Sequence, residues 1–588
     1  MALVDYSSLE EGVNNTEHGM LVAFGEFLSQ HGVLDELMKV AVEQRTRKYA
    51  PQTKLVEFLA AIMSGSRRLE DLNAGSHPLV KDQVVAQAWG QTGFAHYSTV
   101  SRTLEACTET TVNEVEQIVQ AFGRPFIATT IDGLLRRGEA IVYDLDLTGQ
   151  AVSSTSTSYP EAAFGWMNDG VRLGYQLARV CLSPTPTDGE RVWLAGFHHP
   201  GDMVSSKCLQ ELVNAAETQT GVRPRRRVAL ISQRIETYQA EMTRMQRLID
   251  QQQARVTALQ RTQVRLIGQI YHAAEMQKKV VLSQKLALLK KVSEAWQQRL
   301  SRLDKQITQA QQVLGKHQAW LIHQAHDLAQ MLAWRTALED DNRTNPNPPP
   351  YVEARMDAGF MSGENLTWLI EMGYCPNTKA PNDRTTVALR ARLEDTARWV
   401  RVGPNAEMVA WDNHILHGCP FPVTVALERF KVGDTFKYAT LICFRDYASS
   451  PTLPAWFQGY NDRQTIEAGN KELKGTFFIQ HLMTRSLPGI RLQVLFTGLA
   501  ANVVRWCVPW VKSCAPSPTP ELTHILSHPR ALIHAAANAA ALVQQSIGGT
   551  AMQFASNGPL PGATLFLRGI PAFQPALGFN RPCNFDSG

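Results

Sequence analysis

Three carboxylates in this 588-residue chain stand in settings that suit a hard divalent cation, which prefers oxygen ligands and keeps several waters. Asp146 lies in Tyr143-Asp144-Leu145-Asp146-Leu147-Thr148, whose strand-like alternation puts Asp144 and Asp146 on one face. Asp357 lies in Arg355-Met356-Asp357-Ala358-Gly359-Phe360, at the end of a second strand and just before a helix. Glu467 belongs to a helical run, Tyr460-x2-Arg463-x3-Glu467-x6-Lys474, whose spacings of three, four and seven bring all four side chains to one helical face. Such a face offers one carboxylate to a metal, flanked by two cations and a phenol suited to phosphate oxygens. The chemistry open to this set is metal-assisted phosphoryl transfer. Each position alone has a plainer reading: a strand-end Asp before a turn is commonly a cap, and Arg463 with Glu467 is an ordinary i,i+4 ion pair. The ion pair would explain the charges but not Tyr460 or the two strand motifs.

Positioning these residues requires elements drawn from distant regions of the chain. Residues 1 to about 135 read as helical, with apolar periodicity near 3.6 in GMLVAFGEFLSQHGVLDELMKVAV and KLVEFLAAIMSG. Within them Ser98, Thr99 and Ser101 open a helix with Arg102 one turn in, which is either an N-terminus facing phosphates or an ordinary capped helix. Arg45, Arg47, Lys48, Lys54, Arg67 and Arg68 form either a phosphate-binding surface or a solvated face. From Ala140 the pattern changes to strands of a mixed α/β sheet, AIVYDLDLTG and VRLGYQLARVCLS, followed by a helix with Gly221 just past its end.

Between about 228 and 340 there is no proline, and apolar residues from Ile231 to Ile270 and from Leu300 to Leu321 alternate spacings of four and three, the seam of a left-handed coiled coil. Two arms of about 40 to 50 residues, roughly 60 to 75 Å each, fold back as an antiparallel hairpin around an irregular stretch at about 271 to 290. Gln252, Gln263 and His317 in the seam would set its register. The hairpin either pairs with a second subunit or with DNA, or is a spacer. The Pro- and Asn-rich run from Asn342 to Pro350 ends it. Beyond lie a strand at YVEARMDAGF, a helix at SGENLTWLIEMG, a β-rich stretch and a helical region from Asp462 to Trp510. The last 70 residues or so read as a helix plus weak strands.

Composition narrows the class. At 588 residues the chain should form about three to five structural units. With 44 % apolar and 19 % charged residues it can bury a core, which excludes global disorder. No run of about 18 apolar residues occurs, and the start lacks a basic segment followed by a hydrophobic one, so neither a membrane span nor Sec-type export is expected. Nine dispersed cysteines without a C-x-x-C pair fit reduced thiols in the cytosol. A net charge of +4 identifies no polyanionic partner by itself; local clustering of Lys and Arg is the useful quantity.

Taken in order, D-x-T after a hydrophobic strand (Asp146 to Thr148), D-A-G-F before a helix (Asp357 to Phe360) and Y-x2-R-x3-E-x6-K (Tyr460 to Lys474) make the chain resemble the DDE transposases of bacterial insertion sequences, in the group with a Tyr-Arg-Glu-Lys signature. The resemblance covers most of the chain. It implies an α/β RNase H-like core, a mixed sheet with flanking helices, in which Asp146, Asp357 and Glu467 coordinate two Mg²⁺ ions, replaceable by Mn²⁺. It also implies that Tyr460, Arg463 and Lys474 hold the phosphates of the element ends; Arg102 is a further DNA-binding candidate. Asp144 is a neighbour able to assist Asp146.

The organisation expected on this basis begins with a helical DNA-binding domain (1–135). A first core segment with the first Asp (136–227), the coiled-coil insertion (228–345), a second core segment with the second Asp (346–382) and a β-rich insertion (383–448) follow. A third core segment with the Glu helix (449–514) and a C-terminal tail (515–588) complete it. In the β-rich insertion Trp399 and Trp411 are either core residues or platforms for a flipped base. The long coiled coil between the two Asp residues departs from the family, whose core is usually continuous. The expected reaction is hydrolysis at the element end followed by attack of the freed 3′-OH on target DNA. The expected assembly is a homodimer or larger in the bacterial cytoplasm, with double-stranded DNA and no membrane as partner. Two rivals stay open: an RNase H-like nuclease or resolvase that cuts without joining, and a non-catalytic, domesticated DNA-binding protein.

Overall fold

In the computed structural model the described residues are 13–567 apart from 46–47, 76, 168–169, 184–190, 350, 381–382, 394–397, 445–451 and 547–548, so Arg47 lies outside them. They fall into two compact units: Met1–Arg223, Pro349–Leu369 and Tyr374–Gly588 make the larger, and Pro224–Pro348 with Ile370–Gly373 the smaller.

The first helices of the larger unit include α1 (Tyr97–Ala106). The run AIVYDLDLTG then forms β1 (Ile141–Ala151), with Ile141, Tyr143 and Leu145 buried on one side and Asp144 and Asp146 buried on the other. A strand covered on both faces is central in its sheet. It is joined by β2 (Ala163–Met167), β3 (Gly170–Leu182), β4 (Val192–Pro200), β5 (Val352–Arg355), β6 (Cys375–Lys379), β7 (Val400–Arg401), β8 (Ala406–His414), β9 (Val423–Val432) and β10 (Thr435–Cys443). These make one ten-stranded mixed sheet in the order β2-β3-β1-β5-β6-β10-β9-β8-β7, with β4 also paired to β3. The pairs β1–β5 and β5–β6 are parallel and the others antiparallel. The stretch expected as a β-rich insertion therefore extends the same sheet, because β10 pairs directly with β6.

Helix α2 (Ser205–Thr220) is closed by Gly221 in the left-handed conformation, as its sequence requires. After the sheet come α3 (Leu453–Asn461), α4 (Gln464–Gly475) and α5 (Leu487–Cys514). By length and composition α5 could cross a membrane, but 78 % of its most apolar window is buried inside the protein. It is a core helix: Phe496 meets Phe58 edge-on at 5.9 Å, and Trp510 lies 5.5 Å from Phe27. The N-terminal helices and the tail, expected as separate stretches, share this core through Phe24, Leu532 and Phe554. The short strand Val13–Thr16 also pairs with Ala541–Ser546 of the tail.

The smaller unit is a helical hairpin, α6 (Val228–Lys279) and α7 (Ser283–Arg343), whose labels follow the two units rather than the chain. Its helices run 52 and 61 residues, roughly 80 and 90 Å. They are longer than expected because nothing in 271–290 breaks a helix; only Val280, Val281 and Leu282 turn the chain. The heptad seam is real: Ile231, Ile235, Ile249, Val256 and Leu266 are buried, as are Leu303, Ile307, Ala310 and Leu314. Gln263 donates across the hairpin to Asp304, and Tyr238 to Asp327, contacts that fix its register. At the base, Arg226 and Asn342 exchange two hydrogen bonds, so the ends of the insertion lie side by side.

Candidate active site

Asp146 sits opposite Arg179 across the β1–β3 pair. Its carboxylate, nearly buried, accepts from Asn470 Nδ2 at 2.7 Å and lies 3.8 Å from Arg179 and 3.5 Å from Arg463. Arg179 in turn donates to the Asn470 side chain and to the Ile466 carbonyl, tying α4 to the sheet. Gly469 of α4 also faces the arginines; a Cβ there would stand 3.3 Å from Arg191 Nη1, a tight contact that the guanidinium would have to relieve by a few tenths of an ångström.

Asp357 follows β5 and caps the short helical turn Ala358–Phe360 by accepting from the Gly359 amide at 2.9 Å. The plain reading of a strand-end Asp therefore holds, but for one oxygen only: its other oxygen is 3.8 Å from Arg463. The glycine of D-A-G-F is dictated by space, since a Cβ at Gly359 would lie 2.9 Å from Ser205 Oγ at the start of α2. Burial pushes the Asp357 carboxyl up from its ordinary value; the Arg463 charge opposes this and the Asp146 charge adds to it. Two carboxylates, one on β1 and one just past β5, thus converge on one guanidinium, with Arg463 supplying the positive charge that such a pair needs.

Glu467 lies one turn beyond Arg463 on α4, on the face that also carries Asn470. It is exposed, and among the described residues no hydrogen bond or ion pair holds it. The structure therefore brings together Asp146 and Asp357 and leaves Glu467 outside a closed cluster; among the described residues no three His, Cys, Asp or Glu side chains are grouped to hold a metal. The donor set still fits a hard cation in kind: two carboxylates that already share the charge of Arg463, with a third, unpaired carboxylate on the helix that Arg463 opens.

The Tyr-Arg-Glu-Lys run is split between two helices. Tyr460 is in the last turn of α3, Asp462 and Arg463 form the joint, and Glu467 and Lys474 are on α4. Tyr460 is only 6 % exposed, packed with Met408, Trp456 and Leu441, and Lys379 Nζ stands 5.3 Å from its ring centre. Burial pushes its phenol up to about 12. The expectation of four side chains on one face is corrected accordingly: the joint turns Tyr460 toward the core, and a phosphate role for it rests on the resemblance alone. Lys474 is half-buried in the last turn of α4.

Asp144, two residues from Asp146, has a different environment. It is fully buried, accepting from Arg355 at 2.6 and 3.0 Å and from Arg191 at 2.9 Å. Its oxygens are spent on arginines. Arg355, the first residue of the R-M-D-A-G-F motif, also donates to Ser183 and to the Gly459 carbonyl, which links β5 to α3.

No protein-family model matches the chain, and no curated protein matches it. Geometry and motif order carry the functional reading.

Of the remaining candidates, Arg102 is exposed on α1, where His96 caps the helix by accepting from the Ser98 amide; Arg102 itself donates to the Ser98 carbonyl. Lys54 is buried, so the expected basic surface is smaller than its letters suggest. Arg67 stacks on Phe478 at 4.6 Å and, with Arg68, Arg485 and His481, lines a cavity of about 510 Å³ that also holds Glu70 and Glu105. Trp399 and Trp411 are half-buried, each with an arginine over its ring: Arg429 at 4.0 Å and Arg392 at 5.9 Å.

Proposed function

We propose that the protein is a DDE-type DNA transposase with an RNase H-like core, in which Asp146, Asp357 and Glu467 would hold divalent metal and the freed 3′-OH of the element end is joined to target DNA. The observation that carries this reading is the meeting of Asp146 and Asp357 at Arg463, 211 positions apart in sequence, one on β1 and the other just past the end of its parallel neighbour β5, in a mixed sheet flanked by helices. A bound Mg²⁺ pair would lower the pKa of a water and stabilise the leaving 3′ oxygen.

The chain's own residues have roles of a different kind. Asn470 and Arg179 fix the Asp146 carboxylate, as outer partners of a ligand do. Arg463, already between the two carboxylates, would pass to a phosphate oxygen when metal takes over their charge. Lys474 would contact the backbone further along α4. Asp144 is excluded from this set by its two arginines and serves the scaffold. Cytoplasmic location and assembly as a homodimer or larger complex belong to the same proposal.

The test is incubation of the full chain with labelled duplexes that carry the ends of the DNA segment encoding it, in Mg²⁺ or Mn²⁺. Metal-dependent nicking and a joined product are expected, both abolished by Asp357→Ala while DNA binding persists. Cleavage without any joined product would favour a nuclease, and normal cleavage by Asp357→Ala would overturn the site.

A further inference from the structure

The hairpin holds most of the molecule's charge asymmetry. Between residues 251 and 320 stand twelve Lys and Arg against three Asp and Glu, a net +9 in a chain whose total is +4, so the rest of the protein is net −5. All twelve cations are exposed. Among the described residues only Lys278 has an acidic partner, Glu275 at 2.7 Å; the acid Asp304 is engaged by Gln263.

Their placement follows from the heptads. Because the apolar seam of α6 and α7 faces inward, residues out of phase with it form outward stripes. On α6, Arg261, Arg265 and Lys279 recur at spacings of four and fourteen; on α7, Lys291, Arg302, Lys305 and Lys316 recur at eleven, three and eleven, close to whole turns. The register fixed by Gln263 with Asp304 and by Tyr238 with Asp327 brings Arg261 and Arg265 level with Lys305 and Arg302. The intervening surface is rich in Gln and Thr, which donate hydrogen bonds without opposing the charge. This region spans roughly 50 Å, the length of about 15 base pairs of duplex at 3.4 Å per phosphate along a strand.

We infer that this stretch of the hairpin, residues 251–320, is a sequence-independent docking surface for the phosphate backbone of duplex DNA, separate from the carboxylate site. The inference rests on the proposed function for the choice of DNA as the polyanion. Charge selects the occupant: a second copy of the same surface, also +9, would repel it, whereas a duplex releases condensed counterions on each phosphate contact. Val281 and Leu282 are exposed at the distal turn, and single apolar residues such as Val264 and Val313 stand among the cations.

The experiment uses the full chain and a 30-base-pair duplex of unrelated sequence, of a length chosen to exceed the footprint by about twofold. A variant with Arg261, Arg265, Arg302 and Lys305 all changed to Gln keeps helix-forming residues at exposed positions, and circular dichroism confirms that the hairpin persists. Its affinity should fall at least about tenfold at 0.1 M salt, and the slope of log affinity against log salt should flatten by up to about 3.6, roughly 0.9 per lost phosphate contact. Unchanged affinity and slope would overturn the inference. A changed subunit number with unchanged DNA binding would also overturn it, in favour of a protein partner. Asp357→Ala should bind this duplex like wild type; failure of the catalytic reading would show as lost or absent cleavage without any change in this binding.

Discussion

In the larger unit the charges that matter lie inside. Asp144 is clamped by Arg355 and Arg191, and Asp146 is reached by Asn470, Arg179 and Arg463. In the hairpin they lie outside, in rows of one sign with scarcely an acid among them. The difference follows from desolvation. A buried ion must be paired within the chain because leaving it alone costs several kcal/mol, so each carboxylate near β1 has donors built around it. An exposed cation has no such requirement, and a surface that keeps one sign over roughly 50 Å is free to find its counter-charge elsewhere.

That contrast is broken most severely at Asp144. Asp144→Asn would remove the carboxylate that two buried arginines share and should cost about 3–5 kcal/mol in urea denaturation; an unchanged midpoint would show that the clamp is not what holds β1 to β5. Glu57 shows a third way of handling an interior charge, by neutralising it. It is fully buried, accepts from the Ala95 amide at 2.8 Å, and burial pushes its carboxyl up to about 8. The folded state therefore keeps a proton that the unfolded chain releases near 4.5; the associated stability is complete below that pH and is lost as pH rises through about 8. Glu57→Gln keeps the acceptor and removes the titration. It should flatten the decline in stability between pH about 5 and 8, a difference of a few kcal/mol at the upper end, and parallel curves for the two proteins would refute the assignment.

Smaller effects sharpen the comparison further. Asn470→Ala should reduce metal-dependent cleavage about 10- to 100-fold with little change in stability, as loss of a partner behind a ligand does; activity equal to wild type would detach Asn470 from the site. At the exposed extreme, Gln263→Leu should change hairpin stability by less than about 1 kcal/mol but loosen its register, read as broadened distances between spin labels on α6 and α7. A large loss of stability would mean that Gln263 is structural in its own right.

Much of this was legible in the sequence, and the reasons for the remainder are specific. Strand alternation located β1 and both of its Asp residues, and the heptads located the hairpin seam, because each is a local periodicity. Arg179 and Arg191 escaped notice because their roles depend on cross-strand register, although a lone Arg in the apolar run LGYQLARVCL signals a buried partner. Asn470 could have been found, three residues past Glu467 on the same face. Tyr460 could not be assigned from spacing alone, since the two-residue joint before α4 decides which way it turns. The shared core of the N-terminal helices and the tail depends on pairings more than 500 residues apart, such as Val13 with Gln544, that no local pattern reports.

The proposed transposase reading requires Asp146, Asp357 and Glu467 to act together on metal. Mn²⁺ binding to the full chain, followed by electron paramagnetic resonance and titration calorimetry, tests this most directly. The prediction is binding by wild type that is weakened in Asp146→Asn, Asp357→Asn and Glu467→Gln alike. Equal binding by all four proteins, or loss in the Asp pair with none in Glu467→Gln, would contradict a three-carboxylate site.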